Sequence, residues 1–280
     1  LRKIHVNDIT EIIKKMCISS NINLGEDVLC AFKKNKEKEE SELGKNILDI
    51  LINNAQVARD NKMPICQDTG MAVVFLEVGQ EVQFLGGNIN DAINEGVRRG
   101  YKEGYLRKSV VSDPLIRKNT NDNTPAIIYY DIVPGDKVKI TFAPKGFGSE
   151  NMSRINMLKP SDGVKGVEDF IVETVSKAGP NPCPPIVVGV GIGGTMDKAA
   201  YLAKKALLRP IGKNSKLDHI RDLEIRVLEK INNLGIGPQG FGGRTTALSV
   251  NIEVFATHIA GLPVAVNINC HASRHEEIIL

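Results

Sequence analysis

Apolar residues recur at helical spacing through residues 1–62. Ile9, Ile12, Ile13, Met16 and Cys17 fall on one helical face, and Leu43, Ile47, Leu48, Leu51, Ile52 and Ala55 repeat the pattern, so this region is predicted to be helical. Between them Lys33 to Glu40 mixes both signs of charge, as a solvated helix surface does. From Met63 onward the pattern changes to short β-rich runs bounded by Gly, Pro, Asn and Asp. Met71–Val78, Ala126–Ile132, Val138–Ala143, Ile186–Ile192, Ala247–Ala256 and Val264–Asn269 are the predicted strands. Helices are predicted over Ile89–Gly100, Val164–Ala178, Asp197–Leu208 and Leu217–Asn233, with Ser161 or Asp162 placed to cap the second and Gly179 to end it. Leu115 to Pro125 has turn chemistry throughout and reads as a surface loop.

The order predicts an α/β fold, with mixed α+β also compatible: a helical N-terminal region (1–62), then a core (63–280) of strands alternating with helices, with glycine-rich turns at strand ends. No internal repeat or low-complexity linker divides the sequence, so a single domain over 1–280 is expected.

At 280 residues the chain needs no disulfide or metal staple to build a core. Its 36 basic and 33 acidic residues are spread along the sequence, which argues against nucleic acid or an anionic membrane as partner and toward a small substrate. No apolar run is long enough to span a bilayer and the start lacks a secretory pattern, so the cytoplasm is the expected compartment. Five cysteines, an odd number without a Cys-x-x-Cys pair, predict no disulfide framework.

Cys17 lies on an apolar helical face and Cys30 inside the run Val28 to Phe32, and both are expected to be small buried hydrophobes. Cys66, Cys183 and Cys270 differ, because each sits in a turn beside a predicted strand, and the prolines around Cys183 hold its turn rigid. They are 117 and 87 residues apart, so no local cluster motif exists. Two readings stay open: independent thiols, or three ligands assembled by the fold. Three thiolates without a fourth suit a four-iron cluster with one iron free to act as a Lewis acid, which points to catalysis rather than electron transfer.

Three glycine-rich stretches stand out. Gly189-x-Gly191-x-x-Gly194 lies between a predicted strand and helix, as in a dinucleotide fingerprint. The acidic residue expected further on has no preceding β run, so the alternatives are an anion at the helix start or close backbone packing. Lys145 to Asn151 follows a strand but lacks the ending of a phosphate loop, and Gly235 to Thr246 reads as a turn-rich connector. Arg107 and the polar stretch Cys270 to His275 add cationic and titratable groups.

Taken together, Ile65 to Gly70, Lys145 to Asn151, Asn181 to Pro185, Gly189 to Gly194 and Gly242 to Thr246 resemble the class I, iron–sulfur fumarate hydratases and the related L-tartrate dehydratases, over essentially the whole chain. Phe147 stands where that pattern has a third glycine. The resemblance is to an α subunit, and it implies a separate β subunit supplying a swivelling C-terminal domain, α–α dimerisation, and a small dicarboxylate substrate. It implies that Cys66, Cys183 and Cys270 ligate a [4Fe–4S] cluster with one iron lacking a protein ligand. Gln67, Arg107, Gly146, Gly148, Ser149 and His258 match substrate-contacting positions. Asp68 is the expected general base, with a β-subunit group as the alternative, and His271 and His275 are candidates to support the ligands. The expected activity is reversible hydration of fumarate to L-malate, with L-tartrate dehydration as the alternative. A non-catalytic iron–sulfur sensor and an NAD-dependent oxidoreductase are the readings from other classes.

Overall fold

A computed structural model describes all 280 residues. In chain order the elements are β1 (Arg2–His5), α1 (Val6–Ile22), α2 (Glu26–Lys38), α3 (Glu42–Asn61), β2 (Met71–Gly79), β3 (Val82–Leu85), α4 (Ile89–Glu103), β4 (Ile127–Val133), β5 (Val138–Lys145), the short α5 (Phe147–Glu150), β6 (Arg154–Leu158), α6 (Gly163–Ala178), β7 (Ile186–Gly193), α7 (Met196–Ala206), α8 (Asp218–Asn232), β8 (Ala247–Phe255), β9 (Leu262–Asn269) and β10 (Glu276–Ile279). The fold is mixed α/β, as the hydrophobic pattern predicts, with the strands in three sheets.

The chain divides into two compact units. One comprises Leu1–Leu24, Ala55–Phe147 and Arg274–Leu280; the other comprises Gly25–Asn54 and Gly148–Ser273. In the first, the sheet order is β10-β5-β2-β4, with β2 parallel to β4 and antiparallel to β5, and β10 antiparallel to β5. A parallel β1–β3 pair lies in the same unit. Its core sets Ile9, Ile13 and Cys17 of α1 and Ile93, Val97 and Tyr101 of α4 with Val74, Leu76, Ile140 and Phe142 of the sheet. Asn88 starts α4 by accepting the Asn90 amide at 2.8 Å, a side-chain cap that satisfies an otherwise orphaned donor.

In the second unit the order is β6-β9-β7-β8, with β7 parallel to β8 and antiparallel to β9, and β6 antiparallel to β9. Val188, Val190, Val250, Ile252, Val266 and Ile268 pack with Phe170 and Ile171 of α6 and Leu223 and Val227 of α8. The two four-stranded sheets share one plan. A central strand has a parallel neighbour on one side, reached through helix, and an antiparallel neighbour on the other, which carries an outer antiparallel strand.

Several local expectations change. Residues 2–5, inside the stretch predicted helical, pair with β3 instead. The short strands are set by their partners: β6 and β10 pair with the longer β9 and β5, while the four-residue β1 and β3 pair with each other. Gly179 ends α6 as expected, at φ 54°. Asp162 precedes α6 but turns back to accept the Lys159 amide at 2.8 Å, so it caps the preceding 3₁₀ turn. Cys17 is buried, whereas Cys30, expected to be buried, is exposed on α2.

Candidate active site

The turn Cys66 to Gly70 precedes β2, and its backbone is fixed from the protein side. The Ile65 amide donates to the Asn21 carbonyl at 2.9 Å. The Asp68 carbonyl accepts from Arg274 Nη2 at 2.6 Å, and the Thr69 carbonyl from the Tyr101 hydroxyl at 2.7 Å. The Gly70 carbonyl accepts from Asn123 Nδ2 at 3.1 Å. Tyr101, Asn123 and Arg274 are all buried, and burial pushes the Tyr101 phenol upward, so its hydroxyl stays a donor. Gly70 has φ 73°, and a Cβ there would lie 2.7 Å from the Lys145 amide nitrogen; both facts call for glycine.

This backbone anchoring presents the side chains outward. Cys66 and Asp68 are half-buried and Gln67 is exposed. The Asp68 amide points to Cys66 Sγ at 3.4 Å. The Asp68 carboxylate accepts the Gly70 amide through Oδ1 at 3.0 Å and the Phe147 amide through Oδ2 at 2.9 Å. Met71 pairs with Lys145 across β2 and β5, which brings Gly146 to the start of the central strand. A Cβ at Gly146 would stand 3.1 Å from Asp68 Oδ2, so a glycine there leaves room for the carboxylate. Thr69 Oγ1 donates to the Arg107 carbonyl at 3.0 Å, so Arg107 stands beside the same turn with its side chain exposed.

The second unit repeats the arrangement at the start of its own central strand. Val187 pairs with Asn269, so Cys270, the first residue beyond β9, meets the sheet edge where Cys183 enters β7. The His271 amide donates to the Cys183 carbonyl at 3.1 Å, and the Gln239 amide donates to the Pro184 carbonyl at 2.7 Å. Gln239 Nε2 stands 3.2 Å from His271 Nδ1. Cys183 has φ 55°, a left-handed conformation that a side chain adopts at a cost and that clusters at functional positions. Its thiol is exposed and that of Cys270 half-buried.

The predicted residues therefore gather in two groups. Cys66, Gln67, Asp68, Arg107 and Gly146 belong to the first unit, and Cys183 and Cys270 to the second, with Gly148 and Ser149. Ser149 is buried and Gly148 exposed. The Phe147 amide, in the turn expected to serve substrate, is engaged by Asp68. Within the second unit, His258 follows β8 at the end of the sheet opposite Cys183 and Cys270. It is exposed beyond the end of β8, and Phe255 pairs with Gly193, the last residue of β7. The length of β7 separates Phe255 from the edge that carries Cys183 and Cys270 by about 20–25 Å.

The other glycine stretches have structural explanations. A Cβ at Gly189 would lie 2.2 Å from the Ala203 carbonyl oxygen and one at Gly191 2.1 Å from that of Ala199, so these residues let α7 lie directly on β7. The alternative of close packing is the one realised there. Around Gly242 to Thr246, buried Glu39 accepts the Arg244 amide at 2.8 Å and the Thr245 amide at 2.7 Å. Arg274, Tyr101, Asn123 and Gln239 were not among the predicted site residues. A single polar residue carries no periodic signal, and only the position of Arg274 four residues after Cys270 hinted at a role.

No group of three or more His, Cys, Asp or Glu side chains is gathered for metal binding in this structure. In chemistry the donors fit an iron–sulfur cluster: Cys66, Cys183 and Cys270 lie outside any disulfide, with solvent access, at strand-end turns, and soft thiolates suit such clusters. Cys17 is 0% exposed within the apolar core of α1, α4 and the sheet, away from solvent, and burial pushes its thiol up.

The chain matches the family described as fumarate hydratase (Fumerase) over residues 10–279. It is 46% identical over 272 residues to a Methanocaldococcus jannaschii protein provisionally named an L(+)-tartrate dehydratase α subunit, with 95% of each chain covered. It is 36% identical over 279 residues to the L(+)-tartrate dehydratase subunit alpha of Escherichia coli O157:H7, and 35% identical to that of Escherichia coli K12, covering 98% of this chain and 91% of each relative. No helix is long and apolar enough to cross a membrane. With the family match running almost end to end, the chain belongs to the fumarate hydratase (Fumerase) family and is a hydro-lyase.

Proposed function

We propose that this chain is the α subunit of a cytoplasmic iron–sulfur hydro-lyase that interconverts L-malate and fumarate. It acts as one catalytic subunit over 1–280, dimerises with a second α chain, and works with a separate β subunit that supplies the swivelling domain; the α-subunit names of its relatives support that last point. The observation that carries the reading is the tie between His271 and Cys183, which sets Cys183 and Cys270 on one sheet edge. Cys66, Cys183 and Cys270 would hold a [4Fe–4S] cluster with one iron lacking a protein ligand. When bound, the cluster supplies Lewis acidity toward the substrate hydroxyl.

The remaining work falls to side chains. In the dehydration direction Asp68 takes the proton from C3 of malate, the C–H electron pair becomes the C2=C3 bond, and the C2–O pair leaves with hydroxide. Amides of Gly70 and Phe147 fix the carboxylate, so its orientation toward C3 is set before substrate arrives. Arg107, exposed beside the turn, offers a forked guanidinium to a substrate carboxylate. Gln67 adds an amide donor, and Gly146, Gly148 and Ser149 form the glycine turn against which the substrate lies. His258, in the loop after β8, is the remaining substrate contact of this reading.

The names of the relatives favour a second reading, dehydration of L-tartrate toward oxaloacetate. Proton removal and hydroxide loss occur at equivalent carbons, so the same residues serve it. Anaerobic reconstitution of the chain with its β subunit, followed by assay of fumarate from L-malate and oxaloacetate from L-tartrate, tests both. Turnover of malate is expected. A fully loaded cluster that turns over neither substrate would overturn the hydro-lyase assignment of this site and leave a non-catalytic iron–sulfur sensor.

A further inference from the structure

Arg274 is the least expected residue of the first unit. It is 5% exposed, and its Nη2 donates to the Asp68 carbonyl at 2.6 Å, while Nε and Nη1 are buried without a hydrogen-bond partner. A guanidinium is costly to bury and more so with donors unsatisfied. The fold retains it with one short, charge-assisted contact, made to the backbone of the proposed general base. Buried Tyr101 donates to the Thr69 and Gly70 carbonyls, the next two along the same turn.

The geometry around Asp68 gives that contact its meaning. The carboxylate is held by the Gly70 and Phe147 amides, and the carbonyl by Arg274. Cys66 lies two residues away, and the Asp68 amide faces its sulfur. The neighbouring carbonyls of Thr69 and Gly70 have neutral donors in Tyr101 and Asn123. Of these three carbonyls, that of Asp68 is the one held by a cation.

We infer that Arg274 is a positioning residue for Asp68: through the Asp68 carbonyl it sets where the carboxylate stands and how closely the turn is folded over Cys66. The inference rests on the proposed role of Asp68, and its test separates the two. Wild type, Arg274→Met and Arg274→Lys are compared as full chains with the β subunit. Three measurements are made: steady-state kinetics on malate for kcat and KM, analysis of iron and sulfide, and, in the cluster-free chain, the rate at which iodoacetamide alkylates Cys66 relative to exposed Cys30. Loss of the anchor by about an ångström costs about 10²-fold in rate. Arg274→Met should therefore lower kcat about 10- to 100-fold with KM within about threefold of wild type, and should speed Cys66 alkylation several-fold. Arg274→Lys, which keeps a charged donor, should restore most of both. If Arg274→Met does not fold, Arg274→Gln takes its place. A kcat within threefold of wild type and an unchanged Cys66 rate would overturn the inference. If wild type turns over no substrate but Cys66 reactivity still follows residue 274, the positioning stands and the hydro-lyase role of the turn falls.

Discussion

The backbone amide of His271 donates to the carbonyl of Cys183 at 3.1 Å, joining two residues 88 positions apart in the sequence. The bond forms because β9 runs antiparallel to β7 and delivers its last residue to the place where β7 begins. Backbone atoms make the tie, and the Cys183 side chain is exposed beside it. Cys183→Ser should therefore fold but fail to retain the about four irons per chain expected of a complete cluster after anaerobic reconstitution. Cys17→Ser should keep them, at a cost of about 1–3 kcal/mol for a buried hydroxyl. Iron and sulfide analysis checks both; full iron in the first variant would remove Cys183 from the ligand set.

Asp68 offers a second test. Its carboxylate accepts two backbone amides, and Asn in its place presents an N–H₂ group to one of them. Asp68→Asn should keep the cluster and lower kcat about 10²- to 10⁴-fold, the usual scale for a lost general base, with KM changing only a few-fold. Steady-state kinetics on L-malate decide it, and a loss confined to KM would make Asp68 a binding residue.

Glu39 links acid stability to the turn at Gly242 to Thr246. Burial alone would raise its carboxyl, but the Thr245 hydroxyl and the amides of Arg244, Ser41 and Thr245 outweigh burial and lower it from 4.5 to about 2. A carboxyl depressed on folding stabilises the native state above its unfolded value, and that stability disappears as pH falls through the folded value. About 3 kcal/mol should thus be lost between about pH 5 and pH 2. Glu39→Gln should be less stable at neutral pH and lack this component of acid sensitivity. Denaturant unfolding of both proteins across that range measures it; parallel pH curves would refute the role.

Close packing of α7 on β7 makes a stability prediction. A methyl group at residue 191 would meet the Ala199 carbonyl oxygen at 2.1 Å, and backbone cannot move aside as a flexible side chain does. Gly191→Ala should cost about 1–3 kcal/mol, read as a lowered thermal midpoint. Because these glycines serve packing, titration of the wild-type chain with NAD should detect no binding. Saturable binding at this turn would restore the dinucleotide reading.

Much of the architecture was legible before any coordinates. Hydrophobic spacing located α1 and α3 and the principal strands and helices after Met63, because amphipathic periodicity records which face of an element is buried. Glycine and proline marked the turns at Cys66, Gly146 and Cys183, since φ, ring closure and the absence of a Cβ are properties of single residues. Short edge strands such as β6 and β10 escaped, as did the exposure of Cys30, because both depend on what lies alongside.

The sequence by itself determined the fold class, the strand-end turns and the residue types that give them their chemistry. Only tertiary structure decided the pairing. β-sheet register matched Val187 to Asn269 and Met71 to Lys145, and so brought Cys270 to Cys183 and Gly146 to Asp68. It also put the chain past β8, with His258, at the other end of the same sheet, and turned Arg274 inward to the Asp68 carbonyl. Periodicity reports which residues are buried, but partners distant in sequence are chosen by strand direction and hydrogen-bond registry, which exist only once the sheet has formed.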